Sequence, residues 1–180
     1  MPARVTISGH PGSGTSTLVS GICQKYNWKM LNGGQVFRDM ATSREMTLEE
    51  FSQYCMEDES VDKQLDEMLS NVMLSQDSPD IIESRLAGWW AFNHKLDCPR
   101  IWIDVSEEVR ATRVVNREGG SHSEQLALIR ERMKYDGLRY NRLYGIDIDS
   151  KEPYTCVIES DNLDPEEVLE TVIDHLEGYF

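Results

Sequence analysis

The densest chemistry in the chain lies between residues 9 and 17, which read Gly-His-Pro-Gly-Ser-Gly-Thr-Ser-Thr. Gly9, Gly14 and Ser16 fill the glycine and hydroxyl positions of the phosphate-loop pattern G-x-x-x-x-G-K-[ST], and Gly12 adds a backbone able to take unusual dihedrals. In that pattern successive backbone N–H groups and a helix N-terminus form an anion cradle. Ser16 would ligate a Mg²⁺ ion bound to the donor phosphates. His10, Pro11, Ser13 and Thr17 complete the loop, and His10 reads as a loop residue, not a base. One position departs: Thr15 stands where the pattern has lysine, so a full charge is missing beside the β/γ-phosphates. The bland alternative is a glycine-rich turn that binds no nucleotide; the strand before it and the helix after it count against that.

The second concentration is of arginine. Residues 110 to 142 hold seven of the twelve arginines, and with Lys134 they set eight basic side chains against four acidic ones, a local charge of +4. Most charge runs are solvated helix faces. Lysine would solvate a face equally well, whereas arginine is suited to bidentate phosphate contacts. A phosphate-handling segment is therefore expected here. Arg110 and Arg113 are expected to form local ion pairs. Arg132, Asp136 and Arg139 recur at i, i+4 and i+7, which places all three on one helix face.

Behind these residues strands alternate with helices. Val5 to Ser8 reads as a buried strand ending in the glycine-rich turn, and Thr15 to Tyr26 as a helix. Lys29 to Leu31 reads as a short strand before Gly33-Gly34, with Gln35 to Ala41 helical. Thr47-Leu48-Glu49-Glu50 is a capping box, and Val61, Leu65, Met68, Leu69, Val72 and Met73 recur at helical spacing. Asp80–Ser84 and Arg100–Val105 read as buried parallel strands. Ser106 is placed to cap a helix to Glu118; Gly119-Gly120 breaks it; the capping box from Ser121 to Glu124 starts another, running to about Tyr144. Tyr154–Ile158 is the last strand, and Asp164-Pro165 opens a final helix ending at Gly178. Such alternation implies an α/β fold with a parallel sheet, whose ligands bind at the carboxyl ends of the strands.

Composition narrows the classes. The chain has 180 residues, 18 basic against 32 acidic, for a net charge of −14, which argues against a nucleic-acid binder. No run approaches the ~18 apolar residues of a membrane span, and the N-terminus lacks a signal peptide's long apolar region. Cys23, Cys55, Cys98 and Cys156 are widely spaced and read as reduced thiols of a cytoplasmic protein.

The phosphate loop, including its threonine in place of lysine, resembles that of archaeal-type cytidylate kinases. Gly34-Gln35-Val36-Phe37-Arg38-Asp39-Met40-Ala41, Thr47-Leu48-Glu49-Glu50-Phe51-Ser52, Glu83-Ser84-Arg85-Leu86-Ala87-Gly88-Trp89 and Tyr144-Gly145-Ile146-Asp147 resemble further segments of the family. The resemblance covers nearly the whole chain in order. It implies a nucleoside monophosphate kinase fold: a P-loop NTPase-type parallel sheet flanked by helices, with a core at about 1–33, 78–118 and 145–180. A helical region binding the monophosphate would span about 34–77, and a mobile lid about 119–144. It implies ATP-dependent phosphorylation of CMP and dCMP with Mg²⁺, by a cytoplasmic protein that is a monomer. Arg38 and Arg85 would hold the phosphate of CMP, and Glu83 would help position Mg²⁺ through water. Arg132-x-x-x-Asp136-x-x-Arg139 resembles a helix in which both arginines reach the transferring phosphates or the nucleotide and the acid reaches the acceptor ribose.

Each of these residues has a plainer reading. Arg38 and Arg85 could be ion-pair partners, Glu83 a buried structural acid, and Asp136 a brace for Arg132 and Arg139. Trp89-Trp90 reads as packing. The alternatives in function are an adenylate-kinase-like or other small-molecule P-loop kinase, and a regulatory protein that binds nucleotide without transferring phosphate.

Overall fold

The computed structural model describes residues 1–47, 50–51, 54–55 and 58–180. Among these described residues are five parallel strands: β1 (Val5–Gly9), β2 (Met30–Asn32), β3 (Ile81–Glu83), β4 (Arg100–Asp104) and β5 (Cys156–Glu159). They lie in the order β2-β3-β1-β4-β5, so the chain crosses from one side of β1 to the other after β3. The crevice at such a reversal, beyond the carboxyl ends of the strands, is where open α/β sheets bind ligands. The register brings Ile7 level with Glu83 on one side and with Ile101 on the other, and sets Asn32 opposite Glu83. The helices are α1 (Thr15–Tyr26), α2 (Gly33–Ser43), α3 (Glu59–Leu74), α4 (Ala87–Asn93), α5 (Glu107–Glu118), α6 (His122–Tyr144) and α7 (Pro165–Tyr179).

Both faces of the sheet are covered over its three central strands, which is why β1, β3 and β4 are buried runs, whereas the edge strands β2 and β5 are partly exposed. On one face Val5, Ile7, Ile81, Ile101, Ile103 and Ile158 pack against α1 and α7. On the other, Ile82 meets Met73 of α3, Trp90 and Ala91 of α4, and Tyr140, Ile146 and Ile148 at the end of α6 and beyond it. Ala111 and Val114 of α5 pack on Ile129 of α6, so the arginine-rich segment is a helical pair with its own apolar seam. Gly119 and Gly120 make its turn with φ of 81° and 87°, a backbone that side chains rarely adopt.

The local chemistry sets the element ends. The boxes Thr47/Glu50, Ser121/Glu124 and Asp164/Glu167 all form; Leu48, Glu49 and Ser52 lie outside the described residues. Several boundaries differ from expectation. The second helix begins at Gly33, not Gln35, because Asn32 caps it: its side chain accepts from Gln35 N at 2.7 Å. Ser106 makes no side-chain cap; its own N–H donates instead to Asp161 Oδ1 at 2.7 Å. The last strand starts at Cys156, not Tyr154, and the final helix passes Gly178 to Tyr179. Helix α4 is an element the sequence pattern does not predict; it fits because Gly88 leaves room for the Tyr154 ring, which a Cβ there would approach to 2.2 Å. Met68 is 38% exposed and does not pack with Leu69 and Met73 in the core.

Candidate active site

The phosphate loop follows β1 and runs directly into α1. Gly12 and Gly14 hold φ of 84° and 90°, which turn the chain back toward the helix. A Cβ on Gly9 would come within 2.4 Å of Ser13 Oγ and 3.1 Å of the Ile103 carbonyl, so the strand and the loop touch there. No side chain caps the first turn of α1. Its leading N–H groups, unpaired by helix geometry, therefore face the crevice as anion donors. Thr15, Ser16 and Thr17 all lie in that first turn, with Ser16 and Thr17 exposed.

Helix α5 supports this loop from behind. Arg110 donates to the carbonyls of Val105, at 3.1 Å, and Pro11, at 3.3 Å. Arg113 donates to Ser13 O at 2.8 Å and to Ser160 O. Local ion pairs were expected of both; instead they satisfy loop carbonyls, because α5 crosses the loop so closely that a Cβ on Gly12 would sit 3.1 Å from Arg110 O. Beside them opens a cavity of about 340 Å³, lined in part by Gly14, Thr17, Arg113, Arg117, Leu163 and Pro165.

At the end of β3, Glu83 is only 6% exposed. Its Oε1 accepts from Ser16 Oγ at 3.1 Å and its Oε2 from Asn32 Nδ2 at 2.6 Å. Mg²⁺ takes one or two protein oxygens and otherwise binds waters and substrate phosphates. The paired Ser16 hydroxyl and Glu83 carboxylate fit that demand: the hydroxyl donates its hydrogen bond to Glu83 and keeps its lone pairs for the ion. Among the described residues no group of three His, Cys, Asp or Glu side chains could hold a metal by themselves.

Four arginines from three elements lie within electrostatic reach of one another. Arg85, just past β3, pairs with Asp136 Oδ2, while Asp136 Oδ1 lies 3.3 Å from Arg139 Nη2. The brace thus joins Arg85 and Arg139; Arg132, expected in it, makes no ion pair among the described residues. Burial pushes the Arg85 guanidinium down to about 10, opposed by Tyr140, and the charges of Arg132, Arg139 and Arg110 push the same way as burial. The Arg132 side chain is exposed at its surface yet crowded by its neighbours; that crowding lowers its guanidinium too, opposed by Tyr140, with Arg139 and Arg38 adding to the fall. Arg38 on α2 is exposed, and Gln35 Oε1 accepts from its Nε and Nη2 at 3.1 and 2.9 Å. The guanidinium of Arg139 also lies 4.6 Å from the Tyr140 ring centroid. So many like charges with one carboxylate among them make a site for a multiply charged anion.

His10 is 8% exposed, more enclosed than a loop residue is expected to be. Its Nε2 bonds Asp149 Oδ1 at 2.9 Å and its ring meets Trp102 edge-on at 4.8 Å. Lys151 lies over the same Trp102 ring at 4.1 Å and donates to Asp104 Oδ1 at 2.9 Å. Asn32, Asp149 and Lys151 are not among the site candidates the sequence offers. Asn32 had a signal, an amide at a strand end ahead of a helix; the other two sit in a loop with no pattern.

Among known proteins, a family model described as AAA domain matches residues 8–130. The cytidylate kinase of Archaeoglobus fulgidus is 36% identical over 97% of this chain and 94% of its own length. That of Pyrococcus abyssi is 39% identical over 96% and 94%, and that of Halobacterium salinarum 35% over 97% and 90%. A solved structure of a protein from Eubacterium ventriosum superposes with a TM-score of 0.73 at 14% identity, covering 97% of this chain and 98% of that one. Shikimate kinase from Bacteroides thetaiotaomicron does so with a TM-score of 0.60 at 13% identity, over 97% and 98%. These two structural likenesses bear on the fold alone.

Proposed function

This chain belongs to the cytidylate kinase family, and from that premise we propose that it transfers the γ-phosphoryl group of ATP to the phosphate of CMP, and of dCMP. The observation that carries the reading is the convergence of Arg38, Arg85, Arg132 and Arg139 on a crevice bordered by the phosphate loop. A protein that only held a nucleotide would need the loop and not a second set of phosphate-binding cations.

The residues divide the work as follows. The loop from Gly9 to Thr17 and the first turn of α1 hold the donor phosphates. The cavity beside Gly14, between Arg117 and Pro165, takes the donor's nucleoside. Ser16, and Glu83 through water, hold Mg²⁺, which when bound neutralises charge on the donor phosphates. Arg38 and Arg85 fix the phosphate of CMP so that one of its oxygens attacks in line. That phosphate is largely dianionic near neutral pH, with a second pKa of about 6, so it needs no general base. Arg132 and Arg139 then stabilise the charge that spreads over the transferring group. Asp136 keeps Arg85 and Arg139 in register and reaches toward the acceptor ribose. Residues 34–77 serve as the region that binds the monophosphate, and 119–144 as a lid whose turn is Gly119-Gly120. The protein acts as a monomer in the cytoplasm; among the described residues no helix is long and apolar enough to cross a membrane.

The test is a coupled kinase assay with Mg²⁺ and ATP over CMP, dCMP, UMP, AMP and GMP. CMP and dCMP are expected to lead. AMP or GMP turned over ten times faster than CMP would reject the assignment in favour of another nucleotide kinase, and nucleotide binding without turnover would make it a regulatory protein.

A further inference from the structure

A continuous run of hydrogen bonds joins the two halves of the proposed site. Ser16 Oγ donates to Glu83 Oε1 at 3.1 Å, and Asn32 Nδ2 donates to Glu83 Oε2 at 2.6 Å. The other end of the same amide, Asn32 Oδ1, accepts from the backbone N–H of Gln35 at 2.7 Å. The Gln35 side chain in turn accepts from Arg38 Nε and Nη2, at 3.1 and 2.9 Å. The amide has only one workable orientation, because a carboxylate can only accept and a backbone N–H can only donate.

The fold leaves little slack in this run. Asn32 and Glu83 are direct partners across the β2–β3 ladder, both at the carboxyl ends of their strands. The next residue, Gly33, starts α2 in such close quarters that a Cβ there would meet Ser84 Cβ at 2.8 Å and Leu69 Cδ1 at 3.0 Å. The first turn of α2 is thereby pressed against the end of β3. A shift of the Glu83 carboxylate must move the Asn32 amide, and the amide sets the first turn of the helix that carries Arg38.

Resting on the roles proposed above for Glu83 and Arg38, we propose that Asn32 is a positioning residue that couples the donor's metal site to the acceptor-phosphate arginine. One side chain fixes both the carboxylate and the helix, so binding of Mg²⁺ with the donor orders Arg38 for the acceptor, and binding of the acceptor steadies Glu83. Coupling between sites is reciprocal by thermodynamic necessity.

Asn32 could instead act as a helix cap and nothing more, and Asn32→Ser separates the two roles. Serine caps a helix about as well as asparagine, but its hydroxyl ends too early to cap α2 and reach Glu83 at once. The readout is calorimetric binding of CMP alone, of adenylyl imidodiphosphate with and without Mg²⁺, and of CMP in the presence of the Mg²⁺ analogue complex. In the wild type the complex is expected to tighten CMP binding. Asn32→Ser should bind CMP alone within about twofold of wild type, lose about tenfold in the Mg²⁺-dependent part of analogue binding, and lose most of the tightening. Gln35→Ala should weaken CMP about tenfold, leave the Mg²⁺ dependence of analogue binding unchanged, and lose the tightening. Circular dichroism checks that both variants are folded. An Asn32→Ser variant with wild-type Mg²⁺ dependence and wild-type tightening overturns the coupling, as does a wild type in which the complex does not tighten CMP. A wild type that binds no CMP overturns the function itself, and the coupling with it.

Discussion

The guanidinium of Arg85, at the end of β3, is paired with the carboxylate of Asp136, on the inner face of α6. The side chains are 15% and 11% exposed, and Asp136 also faces Arg139. Removing one partner of a buried pair leaves an uncompensated charge, at a typical cost of about 3–5 kcal/mol. Asp136→Asn leaves two guanidinium groups without their carboxylate. We expect a loss near the lower end of that range, because the arginines retain part of their access to water. Urea unfolding of the variant beside wild type measures it. A change below about 0.5 kcal/mol would mean the pair contributes nothing to the fold.

His10 gives stability a pH dependence with a definite sign. Burial above all, then the charge of Arg110, push its imidazole from 6.5 down to about 4; Asp149 opposes, and Arg85 and Lys151 add to the fall. Between those two values the unfolded chain binds a proton that the folded chain does not. Stability is therefore full above about pH 6.5 and is lost as pH falls toward 4. The shift corresponds to about 3 kcal/mol. His10→Gln should lack this component, so its unfolding free energy, measured from pH 7 to 4, should fall less steeply than wild type. Parallel curves would mean that His10 titrates alike in both states.

Thr15→Lys restores the cation of the usual phosphate loop and is expected to gain little. The loop is already backed by Arg110 and Arg113, and the nearest heavy atom to a Cβ placed on Gly14 is an Arg113 nitrogen, at 3.6 Å. In the proposed mechanism Arg38, Arg85, Arg132 and Arg139 supply the remaining charge. We expect kcat with CMP to stay within about threefold of wild type or to fall. A hundredfold rise would show that the site is short of a cation.

The strands, the phosphate loop and the capping boxes at Ser121 and Asp164 were legible because each rests on a local pattern: an apolar run, a glycine spacing, an acid three residues after a cap. What stayed hidden depends on contacts distant in sequence. Ser106 had the right residue type for a cap, but Asp161, 55 positions away, took its N–H. Arg110 and Arg113 had acidic neighbours on their own helix, yet the crossing of α5 over the phosphate loop gave them loop carbonyls to bind. Arg85 was readable as an isolated arginine after an apolar strand, but its partner was not, since Asp136 arrives on a helix 51 residues later. Asn32 was the most accessible of the missed residues: its capping role follows from residue type, its hold on Glu83 only from the β2–β3 register.

Arg132 and Arg139 separate two accounts of α6, because the structure treats them differently. Arg139 is 17% exposed, faces Asp136 and lies against Tyr140, whose hydroxyl accepts from its Nη2 at 2.8 Å. Arg132 is exposed, and its guanidinium feels the charges of Arg139 and Arg38. If α6 were only braced by its charges, Arg139→Ala would cost stability with little further loss of rate, and Arg132→Ala would cost almost nothing, since an exposed charge contributes about 0–1 kcal/mol. If α6 closes on the transferring group, arginines of this kind are worth roughly 10³–10⁵ in rate. Arg132→Ala should then lower kcat/KM for CMP by about a hundredfold, close to 2.7 kcal/mol of transition-state stabilisation, with an unchanged melting temperature. Arg139→Ala should lower both activity and melting temperature. Arg139→Lys should recover part of the stability and little of the rate, because an ammonium keeps the charge beside Asp136 but not the planar two-pronged contact that phosphate oxygens take. Steady-state kinetics and thermal melts on the three variants decide the matter. An Arg132→Ala variant with near-wild-type kcat/KM would confine this helix to a structural role.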